Sequence, residues 1–380
     1  MENKTTVLIA TGNMNAGGAE TLIMEMLRHK SEYVRYVLLI HYDHSPCGVY
    51  DHEIEQLGIP VFYIQSVGRL GIKRYTKHFC DTVKRIGHID ILHSHLNAVG
   101  GLISRAAKKA GIKNRIVHCH ADIAFRGNVI SRCFSEIKLA LMKCAVNRYS
   151  TAAWACSQEA GRRLFYKRKT VTIIPNVIDV KKYLMTEEKR NQAKNKFHVA
   201  DRLVLGAVGR IVPVKNYELA IRLTEKLKEH GLPVVFVCFG RVADQEYFNQ
   251  LQEYIQEHHL TDCIYFEGNS ENICDDIGCF DIFLMPSHSE GFGMAAIEAQ
   301  AAGIPALVSD HVPKIIDMDL GLVDFLPTED LDQWVKTILE RKELPAVDPR
   351  KILENFDKKG YNSETMVKKI EKMYMDLADL

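Results

Sequence analysis

Two glutamates flank a glycine-containing turn in the stretch PSHSEGFGMAAIEA, residues 286–299. A strand-like apolar run ends at Pro286, and a helical pattern begins near Gly293. Glycine lets the backbone approach a ligand closely, and the free N–H groups of a helix N-terminus attract phosphate. Glu290 can accept hydrogen bonds from sugar hydroxyls, and Glu298 can hold the two hydroxyls of a ribose. A carboxylate among small apolar residues is expensive to bury unpaired, which favours a functional role for Glu298 over a structural one.

Two cations, five residues apart, follow another strand-like run. That run ends at Gly209, and Arg210 and Lys215 follow it in the segment GRIVPVKN. Arginine offers a planar fork of donors and lysine a mobile point charge, a pair suited to a diphosphate. An ordinary loop with surface cations is the alternative, but the acidic turn at 286–299 makes ligand binding the better interpretation.

A third candidate is the segment GNMNAGGAE, residues 12–20, between the first strand-like run and a helical pattern. The consecutive Gly17 and Gly18 expose backbone N–H groups to an anion or a sugar, and Glu20 follows them. The spacing is not G-x-G-x-x-G, and no Gly-Lys-Ser/Thr follows, so neither the dinucleotide fingerprint nor the P-loop is present here. Adjacent glycines also occur in plain tight turns.

Four histidines close two consecutive strand-like runs. His93 and His95 end one run, and His118 and His120 end the next. Each pair is spaced by two residues, so both side chains point to one face of their strand, and we expect them to face a ligand cleft. Zinc is the alternative ligand, but Asp122 is the one nearby carboxylate, and we predict that no metal binds.

Strand-like runs alternate with helical segments through the chain. These runs are at 5–11, 34–42, 60–64, 89–95, 114–120, 202–209, 233–240, 263–268, 281–286 and 305–310. Continuous apolar strands alternating with helices indicate an α/β fold, with parallel sheets covered on both faces. Ligands of such sheets bind at the carboxyl ends of the strands, where the candidate residues lie.

The chain length of 380 residues favours two domains. Because Pro175 and Asn176 interrupt the pattern, we predict an N-terminal Rossmann-like domain over 1–175 and a C-terminal one over 176–360, with a cleft between them. The last segment, 361–380, reads as an amphipathic helix with its cap at Asn362 or at the following serine.

Charge is distributed unevenly along the chain. Residues 1–175 carry 25 Lys and Arg against 13 Asp and Glu, and residues 176–380 carry 24 against 35. The basic half could meet an anionic membrane surface or a phosphate-bearing acceptor, although attraction between the two halves is an equal alternative. No apolar run approaches the roughly 20 residues of a membrane span, no signal-peptide pattern is present, and the ten cysteines are scattered. We therefore expect a cytoplasmic protein with reduced thiols.

In combination and order, these blocks resemble glycosyltransferase family 4, retaining enzymes with the two-domain GT-B fold. Residues 290–298 are similar to that family's E-x7-E element, 209–216 to its donor-diphosphate cation pair, and 17–20 to its N-terminal glycine loop. The resemblance covers nearly the whole chain and is greatest for the subgroup of bacterial exopolysaccharide and capsule assembly.

The resemblance implies roles for individual residues. Arg210 and Lys215 would bind the donor phosphates, Glu290 the transferred sugar, and Glu298 the ribose. The implied donor-binding set is Gly17, Gly18, Arg210, Lys215, Glu290, Gly291, Phe292, Gly293, Met294 and Glu298. The implied catalytic set is Arg210, Lys215, Glu290 and a histidine, which is His120 or, as the alternative, His118. The acceptor-side candidates are Glu20, His93, His95 and His118.

The activity implied is retaining transfer of a hexose or N-acetylhexosamine from a nucleotide-diphosphate sugar, most commonly a UDP-sugar. The implied acceptor is a glycan or a lipid-diphosphate-linked glycan of extracellular or capsular polysaccharide synthesis. No metal cofactor and no nucleic acid are expected. A peripheral contact with the inner face of the membrane is expected. The final helix would pack back on the N-terminal domain. The alternatives are a nucleotide-sugar-binding GT-B protein and an epimerase, neither of which transfers to an acceptor.

Overall fold

The computed structural model describes residues 4–15, 17–44, 48–120, 129–166 and 170–379. The chain divides into two compact units. Unit 1 contains residues 1–178 and 360–380, and unit 2 contains residues 179–359. Unit 2 is thus an insertion within the chain of unit 1.

Unit 1 is built on a sheet of seven strands in which every neighbouring pair is parallel. The strands are β1 (Thr5–Thr11), β2 (Val34–Tyr42), β3 (Val61–Gln65), β4 (Ile91–Ser94), β5 (Asn114–Cys119), β6 (Ala152–Ala155) and β7 (Thr172–Ile173). The helices are α1 (Gly18–Arg28), α2 (Asp51–Gln56), α3 (Val67–Ile86), α4 (Gly100–Lys109), α5 (Val129–Tyr149) and α6 (Gln158–Leu164). The strand order is β3-β2-β1-β4-β5-β6-β7.

Unit 2 repeats this plan with six parallel strands. The strands are β8 (Leu203–Val208), β9 (Val234–Phe239), β10 (Ile264–Gly268), β11 (Ile282–Met285), β12 (Ala306–Ser309) and β13 (Val323–Leu326). The helices are α7 (Val180–Tyr183), α8 (Glu187–Lys196), α9 (Tyr217–Glu229), α10 (Gln245–Glu257), α11 (Ile273–Asp276), α12 (Met294–Ala301), α13 (Leu331–Arg341) and α14 (Pro349–Lys359). The strand order is β10-β9-β8-β11-β12-β13.

Both faces of the unit 1 sheet are covered, as the continuous apolar strands predict. Along β1, Val7 and Ile9 pack into one core with α1, and Leu8 and Ala10 pack into another with α3 and α4. This alternation follows from the two-residue period of a strand.

The final helix, α15 (Ser363–Ala378), belongs to unit 1 and contacts α1, β1 and β4. Val367 and Ile370 are fully buried in the core beneath it, and the Asn362 side chain caps its first turn by accepting from the N–H of Glu364. The predicted return of the C-terminal helix to the N-terminal domain is therefore confirmed. None of the helices within the described ranges is both long and apolar enough to cross a bilayer.

In each sheet the strand order reverses once, between β1 and β4 in unit 1 and between β8 and β11 in unit 2. At such a point the connections leave to opposite sides, and a crevice remains at the carboxyl ends of the two strands. The candidate residues that follow β1, β4, β8 and β11 are thereby brought to these two crevices.

Close packing of α4 on α5 predicts contrasting effects of two Gly→Ala substitutions. A Cβ on Gly101, the second residue of α4, would lie 2.4 Å from the backbone nitrogen of Val146, whereas one on Gly68, the second residue of α3, would lie 3.5 Å from the Ser66 hydroxyl. Alanine favours a helix over glycine by about 1 kcal/mol at both sites. We expect Gly68→Ala to leave the free energy of unfolding equal or higher and Gly101→Ala to lower it by about 1–3 kcal/mol in urea titrations. Equal effects would contradict this packing.

Candidate functional site

An ion pair between two of the predicted site residues lies at the strand-order reversal of unit 2. The Nζ atom of Lys215 is 2.5 Å from Oε1 of Glu290, and both side chains are largely buried, with 20% and 11% of their surface exposed. The Ser287 hydroxyl donates to the same carboxylate oxygen at 2.7 Å. Lys215 and Glu290, 75 residues apart in sequence, are thus in direct contact.

Two hydrogen bonds to backbone carbonyls, one of them from the Asn216 side chain, join the two loops that carry this pair. The Asn216 amide donates to the carbonyl of Pro286 at 3.1 Å, and the N–H of His288 donates to the carbonyl of Val214 at 2.9 Å. Asn216 has a left-handed conformation with φ of 53°, which asparagine tolerates better than most residues and which lets α9 begin directly after it. The loop after β8 is therefore fixed to the loop after β11.

Arg210 presents its guanidinium to solvent from the same loop. Among the described side chains, none forms a hydrogen bond or an ion pair with it. Lys215 thus forms an ion pair with a carboxylate, whereas Arg210 is accessible to an anion from solution.

The glycine turn ends in a helix N-terminus, as predicted. Gly293 is the N-cap of α12 with φ of 91°, a conformation that favours glycine, and a Cβ there would also lie 3.2 Å from Ile316. Gly291 is exposed with open space around it, and Phe292 and Met294 are half-buried. The first N–H groups of α12 have no partner within the helix and suit an anion.

Glu298 lies on α12 next to the hydroxyl of Tyr183, which also contacts the thiol of Cys274. Burial raises the pKa of Glu298 from 4.5 to about 7, and the hydrogen bond from Tyr183 opposes that shift. Since no described cation pairs with it, Glu298 is a partly protonated carboxyl group near neutral pH.

In unit 1 the two glycines of the loop lie next to polar side chains. A Cβ on Gly17 would lie 2.5 Å from Oε2 of Glu20, and one on Gly18 would lie 2.8 Å from Nδ2 of Asn176. Burial raises the pKa of Glu20. Both contacts are with the far ends of side chains, and Asn176 lies against the loop.

The four histidines are brought together, but not as expected. His93 and His118 have no exposed surface, because they hydrogen-bond each other at 3.2 Å and Trp154 and Tyr374 pack on them. The expectation that all four histidines face a cleft is therefore wrong for these two. His95 is 4% exposed and His120 only half-buried.

One metal-binding alternative has a geometric basis. A ring nitrogen from each of His93, His95 and His118 lies within 4.8 Å of the other two. Asp122, the predicted supporting carboxylate, lies outside the described residues. Burial is the main cause of a lowered pKa in all four histidines, to about 4 for His120, which leaves them neutral.

Several residues of the two sites were not predicted from the sequence. Ser287 is bonded to Glu290, Tyr183 to Glu298, Tyr374 to His93, and Asn176 touches the glycine loop. The proline at 175 marks Asn176 as a loop residue, but no local pattern indicates the partner of any of the four.

Comparisons with known proteins agree with one another on the family. Residues 188–323 match the family Glycosyl transferases group 1. The chain is 30% identical over 374 residues to EpsF of Bacillus subtilis (strain 168), a protein named as a glycosyltransferase, and the match covers 97% of this chain and 96% of EpsF. It is 25% identical over 301 residues to the UDP-Gal:alpha-D-GlcNAc-diphosphoundecaprenol alpha-1,3-galactosyltransferase of Escherichia coli, covering 76% of each chain.

The solved structures extend this agreement to the fold. HepE of Anabaena, solved in complex with UDP-glucose, superposes with a TM-score of 0.73 at 18% identity, over 99% of this chain and all of that one. The predicted GT-B fold, two Rossmann-like units with parallel sheets, is confirmed. Because the similarity to EpsF extends over nearly the full length of both proteins, the chain belongs to the group 1 glycosyl transferases.

Proposed function

We propose that this glycosyltransferase moves a hexose or N-acetylhexosamine, with retention, from a UDP-sugar to a glycan or lipid-diphosphate-linked acceptor in extracellular or capsular polysaccharide synthesis. The contact between Lys215 and Glu290 carries the proposal, because it joins a cation for the diphosphate to a carboxylate for the sugar. The names of the relatives support the substrates: the E. coli enzyme uses UDP-Gal and a diphosphoundecaprenol acceptor, and HepE binds UDP-glucose.

The donor diphosphate competes with Glu290 for the ammonium group of Lys215. Negative charge grows on the β-phosphate as the sugar departs, and Arg210, Lys215 and the first N–H groups of α12 oppose that charge in place of a divalent metal. Once Lys215 turns to the phosphate, the carboxylate of Glu290 is released to accept hydrogen bonds from the sugar. Glu298 holds the ribose.

Retention requires the acceptor to attack the face from which the diphosphate leaves. A phosphate oxygen of the donor then takes the acceptor's proton, so no second carboxylate at glycosidase spacing is required. Glu290 accordingly positions the sugar. Asn176 lies beside both His120 and Gly18. Because His120 remains partly exposed, it is a better assignment for the active-site histidine than His118, which is fully buried.

Substitution of Arg210 tests donor binding. In the presence of EDTA, we expect one UDP-sugar to raise the melting temperature of the wild type and to have no effect on Arg210→Ala, with turnover lowered by about 10²–10³. Arg350→Ala is the matched control, because Arg350 is 90% exposed in the same unit. No shift of the wild type with any nucleotide sugar would refute the donor class, and activity that needs added metal would refute the metal-independent mechanism.

The raised pKa of Glu298 predicts a pH-dependent cost to stability. Between pH 4.5 and 7 the folded protein retains a proton that the unfolded chain releases, so the free energy of unfolding decreases as pH rises through that window. Glu298→Gln removes this loss. We expect the variant to exceed the wild type by on the order of 2–3 kcal/mol in denaturant titrations at pH 8, and not at pH 4.5.

The control for this prediction is Glu253→Gln, an exposed glutamate on α10. Its difference from the wild type should be small and equal at both pH values. A Glu298→Gln variant that loses stability at pH 8 would mean that the carboxylate stabilises the fold, and the argument that it is retained for a ligand would fail.

We also propose a peripheral contact of unit 1 with anionic lipid. Unit 1 carries 28 Lys and Arg against 17 Asp and Glu, whereas unit 2 carries 21 against 31. Leu141 on α5 is 70% exposed, Tyr166 is 52% exposed, and Cys144, one turn from Leu141, has its sulfur 3.9 Å from the Tyr166 hydroxyl. A small apolar patch thus lies on the basic unit, and that combination suits a negatively charged bilayer surface.

Co-sedimentation with phosphatidylglycerol vesicles at low salt tests this contact. Leu141→Glu should weaken binding about tenfold, since burial of a leucine contributes roughly 1.5–3 kcal/mol. Leu344→Glu, in unit 2 and 41% exposed in the wild type, should bind as the wild type does. Failure of the wild type to sediment with these vesicles would eliminate the proposal.

A further inference from the structure

The four histidines of unit 1 form two hydrogen-bonded pairs, one lying over the other. Nε2 of His93 is 3.2 Å from Nδ1 of His118, with the ring planes 5° apart. Nδ1 of His95 is 2.8 Å from Nε2 of His120, with the planes 16° apart. Ring centroids of different pairs approach to 4.0–4.1 Å. In each pair a lone pair faces the N–H of the other ring, so each pair shares one proton instead of directing both nitrogens at a common cation.

The phenol of Tyr374 determines which ring donates the hydrogen bond between His93 and His118. Its oxygen is 2.5 Å from Nδ1 of His93, it is fully buried, and within the described residues it has no other hydrogen-bond partner. If His93 were the donor, the phenol proton would have no acceptor, at a cost of about 1–3 kcal/mol. The phenol therefore donates, His93 donates from Nε2, and His118 carries its proton on Nε2. Nε2 of His118 is buried and has no partner of good hydrogen-bond geometry among the described residues, and the nearest acceptor to it is the Ile174 carbonyl, which raises the pKa of His118.

The side chain of Asn176 determines which ring donates the hydrogen bond between His95 and His120. Nδ1 of His120 and Oδ1 of Asn176 are both buried, and neither has a partner of good hydrogen-bond geometry among the described residues. The side chain of Asn176 lies beside His120, and its orphaned oxygen is satisfied only if the ring nitrogen next to it carries a proton. Nδ1 of His120 thus holds the proton, and Nε2 accepts from His95. The opposite side of the Asn176 amide touches Gly18.

We propose that Tyr374 and Asn176 are positioning residues for His120. The phenol orders the protons of the pair on which His120 packs, and the amide holds His120 with its Nδ1 proton towards the glycine loop. The proposal rests on the proposed function, in which Gly17, Gly18 and His120 belong to the transferase site. Because the histidine rings are already ordered and uncharged, they need no rearrangement when the sugar donor and the acceptor bind.

The titratable groups that face these rings, among the described residues, are the histidines themselves and Tyr374. Beyond Tyr374 lies the carboxylate of Glu371, which accepts from the hydroxyl of Tyr36 and the N–H of Ser31. A second proton on either pair would remove the shared hydrogen bond and leave a buried charge. The stack should therefore stay neutral through the pH range in which the enzyme works.

Nitrogen-15 NMR of histidine-labelled protein tests the role proposed for the Tyr374 hydroxyl, because the chemical shifts of ring nitrogens distinguish the tautomers. Tyr374→Phe deprives His93 of its donor, so the signals of His93 and His118 should move from single-tautomer values to averaged ones, and kcat should fall about tenfold at constant donor KM. Tyr36→Phe is the matched control, because it removes a buried hydroxyl from the same core, bonded to Glu371 at 3.1 Å. Its spectrum and kcat should match the wild type.

The same spectra test the role proposed for the Asn176 side chain. Asn176→Asp places a carboxylate beside His120, so its pKa should rise from about 4 to above roughly 6, with an imidazolium signal at pH 6 and a new acid limb in the pH profile of kcat/KM. Asn147→Asp is the control, because Asn147 is a half-buried asparagine of α5 that donates to the Lys143 carbonyl. It should leave His120 neutral at pH 6.

Unchanged histidine spectra in both Tyr374→Phe and Asn176→Asp would overturn the proposal, as would equal losses of kcat in Tyr374→Phe and Tyr36→Phe. The spectra need no nucleotide sugar. Ordered tautomers in a protein that transfers no sugar would therefore refute the proposed function alone, and disordered tautomers in an active enzyme would refute this inference alone.

Discussion

Parallel strands impose the constraint on which both candidate sites depend. A chain that pairs parallel strands must return over one face of the sheet between them, so every strand delivers its carboxyl end to the same edge. Where the strand order reverses, the connections diverge and backbone groups stay open to a ligand. The ion pair of unit 2 and the glycine loop of unit 1 lie at these reversals. Their chemistry differs, but the topology that positions them is the same.

Charge is managed differently in the two units. In unit 2, Lys215 has a carboxylate partner, Arg210 is exposed to water, and burial raises the pKa of Glu298 to about 7. In unit 1 the central polar groups are imidazoles kept neutral by burial. In the proposed function, the cations of unit 2 oppose the charge that develops on the leaving diphosphate, whereas the imidazoles of unit 1 supply hydrogen bonds without charge.

Much of this architecture could be predicted from the sequence, because its signals are local. The long strands β1, β2, β8 and β9 are continuous apolar runs, and Gly293 lies where a helix N-terminus needs a positive φ. The short strands β6, β7 and β13 escaped prediction, whereas β4, β11 and β12, also of four residues, were predicted because each lies within a longer strand-like run. Contacts between residues far apart in the sequence could not be predicted either. Tyr374 meets His93 across 281 positions, and the burial of that histidine follows from packing that no local pattern encodes.

The placement of α15 has a consequence for the order in which the protein is made. Unit 2 has all of its residues once Lys359 has been synthesised, whereas the sheet face containing Val7 and Ile9 has α1 but lacks α15 until residues 360–380 follow. At about 5–20 residues per second, this interval is roughly one to four seconds on the ribosome. Unit 1 thus begins translation before unit 2 and is completed after it, and until then the core residues that pack against α15 are not fully covered.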